Sequence, residues 1–186
     1  DTKTSQEEFQ RLAFHYDYPH LTIPSLFDTY IEGYLAADLV ICPSLRSAKV
    51  MECFGCKNIA VIPHGIDLMF AKECMPINES DPFHVGYLGQ IGPDKGIMYL
   101  IQAWKLLNFP DAFLKLAGPN SEFLRPMIQT FGGGRVEILG YVENISTFYN
   151  SITVYIQPSV NEGFGLEVLE AMLFGRPVIV SEGAGV

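Results

Sequence analysis

A short apolar run, a glycine-rich loop and an apolar helical pattern follow one another in Thr153-Val-Tyr-Ile-Gln-Pro-Ser-Val-Asn-Glu-Gly-Phe-Gly-Leu-Glu-Val-Leu-Glu-Ala-Met-Leu-Phe174. Residues 153–157 predict a buried strand, and residues 165–174 predict a helix that ends at Gly175. The loop 158–165 lies where the chain leaves the strand and enters the helix. A strand, a loop and a helix in this order predict an α/β fold with a parallel sheet.

The same alternation continues on the N-terminal and C-terminal sides of this stretch. The sequence predicts further strands at 83–88, 112–117, 136–139 and 177–180, and further helices at 94–107, 122–131 and 144–150. In a Rossmann-like doubly wound parallel sheet, five such strands take the order third, second, first, fourth, fifth, and ligands bind where the first and fourth strands part. The loops after those two strands, 89–95 and 158–165, are both rich in glycine. We therefore expect them to form the two sides of one ligand crevice.

The chain before residue 83 predicts a second, smaller unit. A helical pattern covers 25–37, a strand covers 39–42, a helix capped by Ser44 runs to about Phe54, and another strand covers 59–62. Residues 67–82 are polar and broken by prolines, which predicts a domain linker. The sequence therefore divides into 1–66, 67–82 and 83–186. A sixth strand and its helix normally follow in such a sheet, so we expect the chain to be truncated at both ends.

Composition argues against several classes of function. The 186 residues are 48% apolar, enough for a sizeable core, and no apolar run reaches the roughly 20 residues of a membrane span. The formal charge is −9, from 12 basic and 21 acidic residues, and no basic cluster is present, so nucleic acid is not an expected partner. The N-terminal residues do not resemble a signal peptide. Cys53 and Cys56 form one C-x-x-C pair without the further ligands of a zinc site, which favours ordinary buried or half-buried thiols over a metal or redox role.

The loop 158–165 has the features of an anion site. Gly163 and Gly165 let the backbone approach a ligand closely. The helix that follows directs its free N–H groups and its dipole at the crevice, an arrangement suited to a diphosphate. Glu170 lies at the edge of the helix's apolar surface, where a carboxylate needs hydrogen-bond donors such as sugar or ribose hydroxyls. Glu162 faces the same crevice. The alternative for Glu170 is contact with solvent or with a neighbouring backbone turn.

The loop 89–95 contributes a cation. Lys95 lies near the predicted start of a helix, where the dipole disfavours a positive charge unless an anion is close. The alternative is an ordinary surface lysine. The pattern Gly86-x-x-Gly89-x-x-Gly92 does not have the spacing of a dinucleotide fingerprint, and the second strand ends in Ala117-Gly-Pro-Asn120 without an acid to hold a ribose. A nicotinamide or flavin oxidoreductase is therefore disfavoured.

These stretches together resemble the retaining glycosyltransferases of family 4, which have the GT-B fold. The family's signature is similar to Pro158-Ser-Val-Asn-Glu-Gly-Phe-Gly-Leu-Glu-Val-Leu-Glu-Ala-Met-Leu-Phe-Gly-Arg-Pro-Val-Ile179, and its phosphate loop is similar to Gly86-Tyr-Leu-Gly-Gln-Ile-Gly-Pro-Asp-Lys-Gly96. The entry to its second domain is similar to Ile62-Pro-His-Gly-Ile-Asp67, and the last strand of its first domain to Ala37-Asp-Leu-Val-Ile-Cys-Pro-Ser44. The resemblance implies that 1–66 is the tail of a Rossmann-like acceptor domain and 83–186 a donor-binding domain that lacks its last elements.

The resemblance also implies a role for each matching residue. Glu162 takes the catalytic position against the donor sugar, Glu170 holds the ribose hydroxyls, Lys95 binds the diphosphate, and the base lies by the turn that contains Val142. The backbone groups that meet the sugar and the diphosphate belong to Gly163, Phe164, Gly165 and Leu166. Enzymes of this family are hexosyltransferases of carbohydrate biosynthesis. They move a sugar with retention from a nucleotide-diphosphate sugar to a hydroxyl acceptor, without a metal or another cofactor, and the leaving phosphate takes the acceptor's proton.

The chain departs from the family in several places. Gln90 stands where many members carry an arginine, so the diphosphate meets a neutral hydrogen-bond donor in place of a charge-assisted one, which is about twice as strong. His64 stands where asparagine is common, and we interpret it and Asp67 as hinge residues bonded to backbone. Most of the first domain, which supplies one side of the cleft, is absent from the sequence. We therefore expect the chain alone to bind a nucleotide weakly, to transfer little sugar, and to require the missing parts of the same polypeptide.

Two other interpretations stay open. The chain could be a non-catalytic sugar-nucleotide-binding or scaffold module, which Gln90 favours, or an interaction fragment held in an oligomer by its edge strand. The acceptor implied by the resemblance is a saccharide, a lipid or another hydroxyl compound. The implied location is the cytoplasm, with peripheral membrane association when the acceptor is a lipid.

Overall fold

The N-terminal unit is small and contains a parallel pair of strands. The computed structural model describes residues 24–78, 80–119, 125–126, 128 and 135–186. Within them the unit runs α1 (Pro24–Ala36), β1 (Val40–Cys42), α2 (Leu45–Cys53) and β2 (Ile59–Val61), and β1 pairs with β2 in parallel. Ser44 caps α2 by accepting a hydrogen bond from the Ser47 N–H at 3.1 Å. The cap and the helix end near Phe54 confirm the prediction.

The larger unit is built around a parallel sheet. Its strands within the described ranges are β3 (Phe83–Leu88), β4 (Ala112–Ala117), β5 (Val136–Gly140), β6 (Val154–Gln157) and β7 (Val178–Val180). They lie in the order β5-β4-β3-β6-β7, and each pair of neighbours is parallel. This is the predicted order of third, second, first, fourth and fifth strand. The Rossmann-like doubly wound sheet is therefore confirmed, and β3 and β6 are neighbours.

Helices cover both faces of this sheet. They are α3 (Ile97–Leu107), α4 (Ile145–Asn150) and α5 (Leu166–Leu173). Successive residues of a strand point to opposite faces. In β4, Leu114 and Leu116 pack in the cluster that contains α3, whereas Ala117 packs in the cluster that contains Phe148 of α4 and Val168 of α5. The sheet thus separates two apolar layers, as a doubly wound fold requires.

Several predicted features differ in detail or lie outside the described residues. The helix predicted at 94–107 begins only at Ile97, because Gly96 adopts a left-handed φ of 67° and separates the helix from a 3-10 turn at Pro93–Lys95. The helix predicted at 122–131 falls almost wholly outside the described residues, although 125, 126 and 128 are helical. Cys42 and Cys56 are buried, but Cys53 and Cys74 are exposed. Among the residues described, no helix combines the length and apolar character needed to cross a membrane.

The predicted linker 67–82 contains its own helical segment. Asp67 begins a 3-10 helix at Leu68–Glu73, and its Oδ1 accepts a hydrogen bond from the Met69 N–H at 2.9 Å. This bond agrees with the prediction that Asp67 is bonded to backbone. Phe70 packs against the cluster that contains α4 and α5. The segment therefore contributes apolar surface to the larger unit.

The end of this segment is bonded to the larger unit as well. Oδ1 of Asn150 accepts a hydrogen bond from the Met75 N–H at 2.9 Å, and the Arg176 guanidinium donates to the Met75 carbonyl. Asn150 also donates to the Glu73 carbonyl at 2.8 Å. We call residues 68–75 the strap, because they hold the chain against the larger unit before β3 begins.

Candidate functional site

The loops after β3 and β6 lie against each other at the carboxyl edge of the sheet. We call residues 89–96 the first loop and residues 158–165 the second loop. The N–H groups of Val160 and Asn161 donate to the Asp94 carbonyl at 2.9 and 3.1 Å. A Cβ atom on Gly96 would lie 1.9 Å from the carbonyl oxygen of Pro158, so this close approach and the left-handed backbone both require glycine. The two loops therefore meet at the carboxyl edge of β3 and β6, where the sequence predicts a ligand crevice.

Lys95 and Glu162 face each other across this crevice. The Lys95 Nζ donates a short hydrogen bond to Oε2 of Glu162, and the two side chains are only 18% and 17% exposed. Burial lowers the pKa of Lys95, but the hydrogen bond that Lys95 donates to Glu162 and the charges of Glu162, Asp94 and Glu167 together raise that pKa by more, so the net direction is upward. The anion that the sequence requires beside Lys95 is Glu162 in this structure.

The backbone between Glu162 and α5 presents donors to the crevice. Oε1 of Glu162 accepts a hydrogen bond from the Gly163 N–H at 3.0 Å, so both oxygens of this carboxylate have a partner. Gly165 is the N-cap of α5 with a φ of 93°, a backbone that favours glycine. The Leu166 N–H, at the start of the first helical turn, has no intrahelical acceptor, whereas the Val168 N–H donates to the Gly165 carbonyl at 3.1 Å. The positive end of α5 is therefore directed at the Lys95–Glu162 pair.

Glu170 lies one turn further along α5 and is half-buried. Its Oε2 accepts a hydrogen bond at 2.8 Å from the hydroxyl of Tyr149, a fully buried residue of α4. The sequence predicted ligand hydroxyls as the donors to Glu170, with solvent or a backbone turn as the alternative, and the bond from Tyr149 was not predicted. Nothing in the pattern of α4 distinguishes this tyrosine from ordinary core residues.

Glu167 is a second residue that the sequence analysis missed. It is half-buried, and its Oε1 would lie 3.7 Å from a Cβ atom added to Gly89. Burial is the main cause that raises the pKa of Glu167, and the charges of Glu162 and Glu170 raise it further. The backbone N–H of Glu167 and the charge of Lys95 lower this pKa, but the net direction is upward. A glutamate in the first turn of a helix is an ordinary complement to the dipole, so its burial could not be predicted from the sequence.

The remaining predicted residues lie at the margin of the crevice. The Gln90 side chain is exposed, and the backbone carbonyl of Gln90 accepts a hydrogen bond from the Tyr87 hydroxyl at 2.8 Å. Val142 follows β5, which is separated from β3 by β4, and is partly buried. The Gly140 carbonyl before it accepts a hydrogen bond from the Gly118 N–H at the end of β4 (2.6 Å). The turn therefore lies on the same edge of the sheet as the crevice.

The N-terminal unit also contacts the second loop. The hydroxyls of Ser44 and Ser47 donate to the Gly163 carbonyl at 2.7 and 2.9 Å. The His64 ring packs edge-on against the Phe164 ring, with a centroid distance of 5.1 Å. The sequence predicted Ser44 as a helix cap and His64 as a backbone-bonded hinge residue, and it did not predict these contacts with the second loop.

Known proteins of similar sequence are glycosyltransferases. The model of the family described as glycosyl transferases group 1 matches residues 75–186. The chain is 47% identical over 165 residues to the lipopolysaccharide core biosynthesis mannosyltransferase LpcC of Rhizobium leguminosarum, covering 80% of the chain and 46% of that protein. It is 29% identical over 133 residues to an uncharacterized glycosyltransferase of Haemophilus influenzae, covering 69% of the chain and 37% of that protein. The chain thus spans less than half the length of these two relatives.

A solved structure with the same fold is the crystal structure of Anabaena HepE in complex with UDP and glucose. The TM-score is 0.74 at 22% identity, and the match covers 90% of this chain and 51% of that one. At this identity the likeness concerns the fold, and it confirms the prediction of a GT-B architecture.

Proposed function

The chain belongs to the group 1 family of glycosyltransferases, and from this membership we propose that it carries the donor site of a retaining hexosyltransferase. In the proposed reaction a sugar moves from a nucleotide-diphosphate sugar to a hydroxyl of a saccharide, a lipid or another acceptor. The observation that carries the proposal is the Lys95–Glu162 pair at the N-terminus of α5, between β3 and β6. The complex of the similar HepE structure with UDP and glucose supports a nucleotide-sugar donor.

A diphosphate bound at this pair would meet donors from both loops. Lys95 carries three N–H donors, so it can bind a phosphate oxygen while one donor stays on Glu162. The N–H groups of Phe164, Gly165 and Leu166 add neutral donors at the positive end of α5. Negative charge grows on the diphosphate as its bond to the sugar breaks. Donors that are already oriented there stabilise the transition state, because they need no reorganisation.

The two glutamates would hold the hydroxyl groups of the donor. Glu162 is fixed in place by Lys95 and the Gly163 N–H, and a carboxylate has about four lone-pair sites, so capacity remains for hydroxyls of the sugar. Glu170 is oriented by Tyr149 and would accept from the ribose hydroxyls. The base would lie against the backbone of the turn that contains Val142.

The proposed chemistry uses no general base from this chain. The leaving phosphate takes the proton of the attacking acceptor hydroxyl, and the sugar keeps its anomeric configuration. The proposal includes neither a bound metal nor another cofactor. The Gln90 side chain would add one hydrogen bond to the diphosphate from the edge of the first loop.

A panel of UDP, GDP and ADP sugars tests this proposal by calorimetry and ligand-observed NMR. We expect at least one of them to bind, and Glu170→Ala to weaken that binding because the ribose loses its acceptor. Glu52→Ala is the matched control, since Glu52 is an exposed glutamate on α2. The proposal would be refuted if none of the nucleotide sugars bound to the unsubstituted chain and none bound to Glu170→Ala.

A second candidate function is a sugar-nucleotide-binding or scaffold module without catalysis. Gln90, in the place of the more common arginine, favours this alternative. The discriminating measurement is the release of free nucleotide from the donor that binds most tightly, made on the intact polypeptide to which this chain belongs. Release that depends on Glu162 supports the transferase, and tight binding without release supports the binding module.

A further inference from the structure

Two serines of the N-terminal unit bind one carbonyl of the second loop. Ser44 and Ser47 lie 119 and 116 residues before Gly163 in the chain, and both hydroxyls donate to its oxygen. A carbonyl oxygen has two lone pairs, so these bonds use its full accepting capacity. Ser44 is only 4% exposed, and it holds Ser47 in place by capping the helix on which Ser47 lies.

This arrangement determines the direction of a neighbouring N–H group. The peptide bond between Gly163 and Phe164 is planar and trans, so its C=O and its N–H point in opposite directions. Because the Gly163 carbonyl points toward α2, the Phe164 N–H points away from α2. In the proposed function that N–H is one of the donors to the sugar diphosphate.

The same peptide is confined from a second side by the segment after β7. A Cβ atom on Gly185 would lie 2.3 Å from the Gly163 oxygen and 2.9 Å from the Ser44 Oγ. The Arg46 guanidinium of α2 donates to the Glu182 carbonyl at 3.3 Å. The Gly163 peptide therefore has little room to rotate while the serine bonds are in place.

We propose that Ser44 and Ser47 are positioning residues of the donor site, which fix the Gly163 carbonyl and thereby direct the Phe164 N–H at the diphosphate of a nucleotide sugar. The inference rests on the proposed function. It gives the N-terminal unit a part in donor binding, through two hydroxyls that need not touch the donor themselves.

Ser47→Ala is the single variant that preserves the helix cap, because the Ser44 hydroxyl accepts from the backbone N–H of residue 47, which the substitution does not remove. Ser44→Ala/Ser47→Ala removes both bonds to Gly163, and Ser47→Thr retains the hydroxyl. Ser151→Ala is the matched control: Ser151 also donates to a backbone carbonyl, that of Phe148 at 2.8 Å, but it precedes β6 at the opposite edge of the sheet. Each variant is titrated with the nucleoside diphosphate, among UDP, GDP and ADP, that the unsubstituted chain binds most tightly.

The expected result is a graded loss of affinity with little loss of folding. One neutral hydrogen bond corresponds to about a threefold to tenfold effect, so we expect about threefold weaker binding for Ser47→Ala and about tenfold for the double variant. Ser47→Thr and Ser151→Ala should bind as the unsubstituted chain does. The amide signal of Phe164 should move in the double variant and respond less to the nucleotide, which a purely structural role of the serines would not produce.

Two results would overturn the inference in distinguishable ways. Unchanged affinity and an unchanged Phe164 response in the double variant would show that the serines do not position the N–H, while the proposed function would stand. If the unsubstituted chain binds none of the three nucleotides, the proposed function itself fails and the inference falls with it.

Discussion

The two loops that border the crevice have similar composition but are held in place differently. The first loop is bonded to its own sheet: the Tyr87 hydroxyl donates to the Gln90 carbonyl, and the Ile91 N–H donates to the Pro119 carbonyl at 3.1 Å. The second loop is held largely from outside the sheet, by Ser44 and Ser47 at the start of α2 on one side and by the segment after β7 on the other. The Glu162 N–H, for example, donates to the Gly183 carbonyl at 3.0 Å.

This difference shows how each loop can serve a ligand. The first loop presents a charge on a flexible side chain, Lys95, which can change partner by rotation about its χ angles. The second loop presents backbone N–H groups, whose directions depend on the shape of the loop. Substitutions in the first loop should therefore act through charge, and substitutions in the second through geometry. Gly96 is the exception, because there the two loops touch.

Gly96→Ala should have the largest effect. The new Cβ would lie 1.9 Å from a backbone oxygen in a residue with a φ of 67°. Strain and overpacking of about 1–3 kcal/mol each predict a loss of about 3 kcal/mol in the free energy of unfolding, measured with urea. Gly163→Ala is the comparison in the second loop, where the nearest atom would be the Ser47 Oγ at 3.8 Å, and it should change stability by less than about 1 kcal/mol. Equal stability of the two variants would contradict the contact between the loops.

Lys95→Met should have the next largest effect, on binding more than on folding. Loss of a charge-assisted hydrogen bond of about 1.5–3 kcal/mol predicts roughly 10- to 100-fold weaker binding of the nucleoside diphosphate, measured by calorimetry. Lys95→Arg keeps the charge and should lose less. Lys57→Met removes an exposed lysine of the N-terminal unit and serves as the control. Undiminished binding by Lys95→Met would exclude the pair with Glu162 as the diphosphate site.

Glu167 should make donor binding depend on pH. Its pKa is already raised, by burial first and then by Glu162 and Glu170, and a diphosphate adjacent to it would raise that pKa further. Binding then takes up a proton on Glu167. Affinity is therefore highest at pH values below the pKa of Glu167 in the free protein, and it falls as the pH rises from that pKa to the higher pKa of Glu167 in the complex. If binding raises the pKa of Glu167 by about one unit, affinity at low pH is about tenfold higher than affinity at high pH.

The measurement is a series of calorimetric titrations with the nucleotide sugar, whose two esterified phosphates keep the same charge over the range. Glu167→Gln should bind with an affinity that does not vary with pH. Burial also raises the pKa values of the tyrosines near this carboxylate, so they stay neutral and do not contribute; they are Tyr87, Tyr149 and Tyr155. If the affinity of Glu167→Gln still fell with rising pH, the proton taken up on binding would belong to another group.

Gln90→Arg should have the smallest effect, and it should act in the opposite direction. An arginine at this exposed position adds a positive charge to the edge of the first loop. Exposed charge pairs contribute about 0.2–1 kcal/mol, so we expect affinity for the diphosphate to rise by less than about fivefold, and the gain to fade at high salt. Weaker binding by Gln90→Arg would show that the diphosphate does not reach this side of the crevice.

The sequence was sufficient to predict the order of the strands and the meeting of the two glycine-rich loops at one edge of the sheet. Alternating strands and helices allow few topologies, and the glycine-rich loops follow the two strands that part. The start of α3 could not be predicted, because the left-handed Gly96 is imposed by contact with Pro158, far along the chain. Glu167 and Tyr149 were missed because periodicity indicates which face a residue occupies, and it does not indicate which side chain of another element lies opposite.

The strap limits how the two units can turn against each other. Its 3-10 helix and the bonds of Asn150 and Arg176 to Met75 fix residues 68–75 on the larger unit. The backbone torsions left for a rotation between the units are then those of the six residues 62–67, where a Cβ on Gly65 would meet no atom within 4 Å. A rotation about this short pivot carries Ser44 and Ser47 together across the second loop. Such a rotation would make or break both serine bonds to the Gly163 carbonyl at once, and the direction of the Phe164 N–H would change with them.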